Sequence, residues 1–309
     1  MSQQPHVCVV GSTNIDLTFR AARLPRPGET LAGHGFQLGH GGKGANQAVM
    51  AARLGARVTM VGKVGRDVFG EGALSNYREH GIDTTHVLTD AERPTGVASI
   101  VVDDAARNCI IVVPGANLGL TPQDVRVAAG AIESAGVLLC QLEVPLETVA
   151  EALRIARAAN VMTILNPAPA VALRDDLLRL ADLCVPNENE IELLTGGHTA
   201  ATVQEAAAAA WELLRRGPRT VIVTLGERGA LIADAVSAEH LAAPRVEAVD
   251  SSGAGDAFIG ALGVFLAEGA PLKEAVRWAN AVAALSVTRL GTQASFPTRA
   301  ELKASCPDF

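Results

Sequence analysis

The residues best suited to chemistry are Asp250-Ser251-Ser252-Gly253-Ala254-Gly255-Asp256, which run directly into the apolar helical stretch AFIGALGVFLAEG. Gly253 and Gly255 let the backbone turn tightly, so several N–H groups at the start of that helix can point at one anion. Gly253, Ala254 and Gly255 then form an anion hole that needs no cationic side chain. Asp256 follows in the first turn, where a carboxylate can take the proton of an attacking hydroxyl. An aspartate in that place is equally well explained as a helix cap. A helix N-terminus keeps such a carboxylate ionised and weakly basic. Phosphoryl transfer tolerates this, because its loose transition state asks for positioning and charge stabilisation more than for a strong base.

A second stretch, Gly39-His40-Gly41-Gly42-Lys43-Gly44-Ala45-Asn46-Gln47-Ala48, opens a helix that reaches about Leu54. Its glycines satisfy G-x-G-x-x-G, but a dinucleotide site needs that motif directly after the first strand of a βαβ unit, and here a hairpin-like segment precedes it. It is not a P-loop either, since Gly44 stands where Ser or Thr is required and Gln37 where the first glycine is. Lys43 at a helix start is electrostatically out of place and calls for an anionic or strongly polar neighbour. Lys43 and Asn46, one turn apart, can reach the hydroxyls of a bound sugar, or stand as a solvated lysine and a capping asparagine.

Three further sites read two ways. Asn14 and Asp16 after the first strand are two residues apart, so in extended chain they project to one side, where Asp can accept from a vicinal diol; both are also ordinary turn residues. Asn187 and Glu190 share a helical face suited to a hydrated Mg²⁺ near ATP phosphates, and they equally spell a capping box. Thr224-Leu225-Gly226 ends a strand, the place for nucleotide contact at the carboxyl edge of an open sheet. The seven histidines form no HExxH pair, and no GxSxG elbow is present.

The elements that must position these residues alternate. Short β-branched runs at 7–10, 58–62, 137–141, 161–165, 183–185 and 220–225 are separated by helical stretches at about 43–54, 67–80, 145–159, 202–216, 255–268 and 271–290. This order predicts an α/β fold: a three-layer α/β/α sandwich around a mostly parallel sheet, forming one domain over residues 1–309. Two segments break the alternation, about 13–40 and 96–113. The second reads as two strands around Asp103-Asp104-Ala105-Ala106-Arg107-Asn108. Together they predict a small β-sheet lid over a pocket, and exposed lid edges predict pairing into a homodimer.

Composition narrows the functional classes. Apolar residues make up 49% and aromatics 3%, as in a compact, closely packed globular protein. The net charge of -7 gives no field favouring nucleic acid or an anionic membrane, so a polyanionic cofactor must be held by local groups. Cys8, Cys109, Cys140, Cys184 and Cys306 are odd in number and scattered, which predicts neither disulfides nor a zinc site. No leader pattern and no membrane-length apolar run is evident, which predicts a cytoplasmic protein.

These motifs, taken together, resemble the ribokinase (PfkB) family of carbohydrate kinases. GGKGANQA at 41–48 resembles its first signature and DSSGAGD at 250–256 its second. GSTNID, QLEVP at 141–145, LNPAPA at 165–170, PNENE and VTLG follow in the family's order over nearly the whole chain. The resemblance implies ATP-dependent phosphorylation of D-ribose at its 5-hydroxyl, or of another furanose such as 2-deoxyribose, a nucleoside or a ketohexose. The scarcity of aromatics disfavours a stacked nucleobase. A sugar-sensing protein without catalysis would have lost Asp256 or the glycine pair, and both are intact.

By the same resemblance Asp256 is the base, with Gly253, Ala254 and Gly255 as the anion hole. Asn14, Asp16, Gly42, Lys43, Asn46 and Glu143 correspond to the sugar-binding set. Asn187, Glu190, Thr224, Gly226, Gly255 and Asn280 correspond to ATP and Mg²⁺ contacts, with Asn280 standing where similar kinases place a histidine. An activating K⁺ is implied at Asp250, the Ser295 hydroxyl and carbonyls near Ser252, Ser286, Arg289 and Gly291.

Overall fold

The computed structural model describes residues 4–105 and 107–306. Ala106, in the predicted hairpin turn, and Met1 to Gln3, in the stretch read for a leader, lie outside the described residues. In chain order the strands are β1 (His6–Val10), β2 (Asn14–Ala21), β3 (Gly35–Gly41), β4 (Arg57–Gly65), β5 (Asp83–Asp90), β6 (Gly96–Asp103) and β7 (Asn108–Val113). They continue as β8 (Val137–Cys140), β9 (Met162–Leu165), β10 (Leu183–Cys184), β11 (Thr220–Thr224), β12 (Ala230–Ala233) and β13 (Ala238–Leu241). The helices are α1 (Lys43–Arg53), α2 (Val68–Glu79), α3 (Pro122–Val127), α4 (Ala129–Glu133), α5 (Leu146–Ala158) and α6 (Asp175–Leu178). Then come α7 (Glu188–Leu194), α8 (Val203–Arg215), α9 (Ala254–Ala267), α10 (Leu272–Ser286) and α11 (Arg299–Ser305).

Nine strands form the large sheet in the order β13-β12-β11-β10-β9-β8-β1-β4-β5. All neighbours are parallel except the β11–β12 and β12–β13 pairs at one edge. Strand β1 is wholly buried because the two faces of the sheet are each covered by helices. Cys8 and Val10 pack with residues of α3, α4, α5 and α8 on one face. Val7 and Val9 alternate onto the other face, against α1, α9 and α10. This is the expected α/β/α sandwich. Among the described residues no helix is long and apolar enough to cross a membrane.

The two segments that break the alternation pair with each other, as expected. They form a four-stranded sheet in the order β3-β2-β6-β7. Its hairpins β2–β3 and β6–β7 are antiparallel and meet through a parallel β2–β6 ladder. Sequence reading missed β5, β12 and β13: β5 and β13 are part-exposed edge strands without an apolar run, and β12 is a mostly buried run of four residues, ALIA, that follows β11 with no α-helix between. The helix expected to reach residue 290 ends at Ser286, where the Val287 carbonyl turns to accept from the N–H groups of Val249 and Asp250.

One close approach sets how α1 and α9 cross. A Cβ on Gly260 would lie 2.7 Å from the Gln47 carbonyl oxygen and 2.8 Å from the Met50 Cβ, so α9 and α1 cross almost backbone to backbone. Asp256, one turn before Gly260, thereby meets Asn46 and Gln47. Gly260→Val should destabilise the protein by about 1–3 kcal/mol through overpacking. A urea unfolding midpoint equal to wild type would show that the helices part without cost.

Candidate active site

A cavity of about 180 Å³ opens at the carboxyl ends of β9, β10 and β11, against the N-terminus of α9. Ligands of open α/β sheets bind at this edge. Its walls include Lys43, Asn166, Asn187, Glu190, Thr224 and Gly253 to Asp256. The volume equals about six waters at roughly 30 Å³ each, enough for a phosphoryl group and the alcohol end of a substrate.

Helix α9 starts without a side-chain cap, behind Gly253 in the left-handed region at φ 75°. A Cβ on Gly253 would strike Thr292 at 2.4 Å, whereas one on Gly255 would meet nothing within 4 Å. Gly253 is thus required by the turn, and Gly255 leaves open space at the cavity wall. The N–H groups of Gly255 and Asp256 lie in the first turn and have no acceptor within the helix. The Ala254 N–H is directed instead at the Ser251 carbonyl, 3.2 Å away, which removes it from the expected anion hole.

Asp256 does not cap its helix. Its Oδ2 accepts from Asn46 Nδ2 at 2.9 Å and its Oδ1 from Gln47 Nε2 at 3.1 Å. Nor is it the weak base that a first helical turn predicts. Burial pushes its pKa up, against the pull of Lys43 and of the Asn46 and Gln47 donors, and Glu143 acts with the burial.

Lys43 is no longer misplaced in this setting. Burial disfavours its charge, but Asp256, Glu143 and Glu190 outweigh that and hold its pKa above the ordinary value. Glu143 accepts from the Ser12 hydroxyl and from the Lys43 N–H at 2.9 Å, tying the loop after β8 to the start of α1. The neighbouring glycines serve close approach. A Cβ on Gly42, at φ 88°, would lie 2.6 Å from the Asn14 nitrogen, and one on Gly41 would overlap the Asp16 carboxylate.

Asp16 extends from β2 into the same electrostatic neighbourhood. Burial, with Glu143 and Asp256 adding repulsion, raises its pKa to about 6. The Asn14 Oδ1 accepts from Asn117 Nδ2 at 2.8 Å, and Asn117 also bonds both backbone groups of Thr13. Asn46 is engaged at both ends of its amide, since Gln293 Nε2 donates to its Oδ1 at 2.9 Å.

The two readings of Asn187 and Glu190 coexist. Asn187 accepts from the Glu190 N–H, and Glu190 Oε2 accepts from the Asn187 N–H, both at 2.8 Å, which is a complete capping box. Both residues also line the cavity, next to Thr224, which bridges to Asn187. Gly226 and Asn280 are not among the cavity walls. Asn280 is buried in α10 and donates to the Leu241 carbonyl.

The residues expected around a monovalent cation lie in two loops joined by Asp250. Its Oδ1 accepts from the Ser252 N–H and its Oδ2 from the Gly291 N–H, each at 2.9 Å. Burial alone would raise Asp250, but the Ser252 hydroxyl and N–H and the Gly291 N–H outweigh it and lower its pKa. The Ser295 hydroxyl donates to the Thr292 carbonyl and that of Ser286 to the Ala283 carbonyl, while the Arg289 guanidinium pairs with Glu301. Among the described residues no cluster of three or more His, Cys, Asp or Glu forms a metal site.

Sequence reading missed Asn166, Gln47, Gln141 and Gln293. Asn166, at the end of β9 in LNPAPA, lines the cavity and accepts from Gln47 at 3.2 Å. Gln47 and Gln141 were in view inside GGKGANQA and QLEVP, but an uncharged amide carries no spacing signal that separates a buried support from a surface residue.

The pfkB family carbohydrate kinase model matches residues 4–299. The chain belongs to this family. It is 43% identical over 301 residues to a ribokinase of Mus musculus, covering 96% of this chain and 93% of that one. It is also 41% identical to a deoxyribokinase of Salmonella typhi, covering 94% and 95%. The solved structure of an Arabidopsis thaliana ribokinase complexed with ribose and ATP superposes with a TM-score of 0.93 at 30% identity, covering 99% of this chain and 100% of that one. Among the described residues no protein group donates a hydrogen bond to the part-buried Asp16 carboxylate, which leaves its oxygens free to accept from hydroxyls.

Because an ionised Asp16 is the better hydroxyl acceptor, binding should weaken as pH falls and the carboxyl protonates. The KM for the sugar should rise as pH drops below about 6, approaching tenfold per unit. Asp16→Asn should bind weakly at all pH values without that rise. A wild-type KM constant from pH 7 to 5 would overturn the assignment.

Proposed function

We propose that this chain transfers the γ-phosphoryl group of ATP to the 5-hydroxyl of D-ribose, giving ribose 5-phosphate and ADP. One observation carries the reading: the buried Asp256 carboxylate and the unpaired N–H groups of the α9 first turn border one cavity, opposite Lys43. Asp16, Asn14, Gly42, Lys43, Asn46 and Glu143 hold the sugar with its 5-hydroxyl at Asp256. The hydroxyl oxygen bonds to the γ-phosphorus as the bond to the β,γ-bridging oxygen breaks. Its proton passes to Asp256, and the bond's electron pair leaves with ADP. The N–H groups of Gly255 and Asp256, with Lys43, stabilise the charge on the group in transit.

Asn187 and Glu190 fit a hydrated Mg²⁺, since the capping box engages only one Glu190 oxygen and leaves the other for the cavity. Such an ion neutralises phosphate charge when bound. Asp250 and the carbonyls of the 286–295 loop are hard oxygen donors that fit K⁺, and an ion there would order the turn before α9. Thr224 borders the ATP side, and Gly226 and Asn280 are assigned to the nucleotide beyond the cavity. The four-stranded sheet acts as the lid of a single domain. The use of ATP and the five free thiols support a cytoplasmic enzyme. A second reading, 2-deoxyribose as substrate, is favoured by the deoxyribokinase relative.

An ATP-consumption assay over ribose, 2-deoxyribose, fructose and adenosine, with and without K⁺, tests the assignment. Ribose should lead and K⁺ should raise the rate; a clear preference for another compound would overturn it. Asp256→Asn should bind sugar yet turn over at least ~10²-fold more slowly, the loss expected for a positioned base.

We also assign a homodimer through the small sheet. Its edge strands β3 and β7 carry exposed Phe36, Leu38, Ile110, Ile111, Val112 and Val113, a patch that solvent does not favour. Light scattering at micromolar concentration should give a dimer that Ile111→Lys dissociates. A monomeric wild-type protein would refute it.

A further inference from the structure

Asp256 is held by amides that are themselves held by amides. The Gln293 Nε2 that donates to Asn46 belongs to a side chain whose Oε1 accepts from Asn76 Nδ2 at 2.9 Å. On the other side, Gln47 Oε1 accepts from Gln141 Nε2 at 2.6 Å. Gln47 and Gln141 are fully buried, and Asn46 and Gln293 nearly so. A carboxamide has one donor end and one acceptor end, so a donor aimed at its carbonyl fixes which end faces the next group. Gln293 therefore obliges Asn46 to present its NH₂ to Asp256, and Gln141 does the same to Gln47. Burying four amides in this way is costly unless each is satisfied, and among the described residues only the Gln141 Oε1 of these four lacks a partner. The packing of α1 on α9 does not require them, since apolar side chains would serve.

Resting on the reading of Asp256 as the base, we infer that Gln47 and Gln293 are positioning residues that fix the orientation and proton-accepting readiness of the Asp256 carboxylate. Gln293 does so from the loop that also carries Gly291 and Ser295. The charged groups around the carboxylate are Lys43 on α1, Asp16 on β2, Glu143 after β8 and Glu190 on α7. None of them supplies the hydrogen bonds that the carboxylate accepts from Asn46 and Gln47. Donors to a carboxylate stabilise its ionised form, so losing one makes protonation easier and leaves less ionised base at a given pH.

The test is single-turnover phosphoryl transfer against pH for Gln47→Met and Gln293→Met, similar in size and without donors. Both should slow transfer about tenfold at pH 7 and move the acidic limb of the profile up by about one pH unit. Gln47→Met should leave the sugar KM unchanged. Gln293→Glu keeps the shape but turns an acceptor toward Asn46, and should move the limb as Gln293→Met does. Should Gln47→Met not fold, the two Gln293 variants decide alone. Folded variants with the wild-type limb, beside an inactive Asp256→Asn, would overturn the positioning role and leave the base standing. Full activity in Asp256→Asn would instead remove the base and the positioning role with it.

Discussion

A carboxylate held away from water, at the seam where two helices nearly touch, is the constraint on which this structure depends. Burying Asp256 costs free energy that solvent no longer offsets, and the protein supplies two amide donors and one lysine in place of hydration. Those donors reach it only because Gly260 lets α9 lie against α1 at backbone distance. Both helices then present their N-termini to one cavity, and the cavity-lining first turn of α9 comes with the same arrangement. The cavity-lining turn and the carboxylate are two consequences of one crossing.

The same economy governs the glycine run at 41–44. Gly42 and Gly44 are pressed against the backbone of Ser12 to Asn14, and Gly41 against the Asp16 side chain. These contacts leave no room for a Cβ, so the run serves to seat α1 beside β1 and β2. Lys43 is the side chain that results at the site. Three carboxylates, Asp256, Glu143 and Glu190, converge on it from separate elements. An excess of negative charge around one lysine favours a ligand that brings hydroxyl donors and cations together, as a sugar and a metal-bound nucleotide do.

The small sheet joins the site through β2. Asp16 belongs to that sheet yet feels the charge of Asp256 on α9, so the sheet and the sandwich meet electrostatically there. At the other end, Asp250 fastens the loop before α9 to the loop after α10. The turn before α9 is thereby braced, and Gln293 sits in the second of those loops.

The sequence alone determined the α/β sandwich, because buried parallel strands write themselves as short apolar runs such as VCVV and VIVT between helical periods. It determined the glycine-flanked helix start and Asp256, since a left-handed turn at Gly253 can be read from residue type. It left β5 and β13 unread, because part-exposed edge strands carry no continuous apolar run, and it left β12 unread because its four apolar residues follow β11 without the intervening α-helix that marks the parallel strands of the large sheet. It left Asp256 open between cap and base, and only the tertiary structure decided that its oxygens face α1, 209 and 210 residues away in sequence. The raised pKa of Asp256, the neutralising ring around Lys43 and the supporting chain of Gln47, Gln141 and Gln293 have the same origin. Each depends on side chains from distant segments meeting out of water, and spacing along the chain holds no record of such meetings.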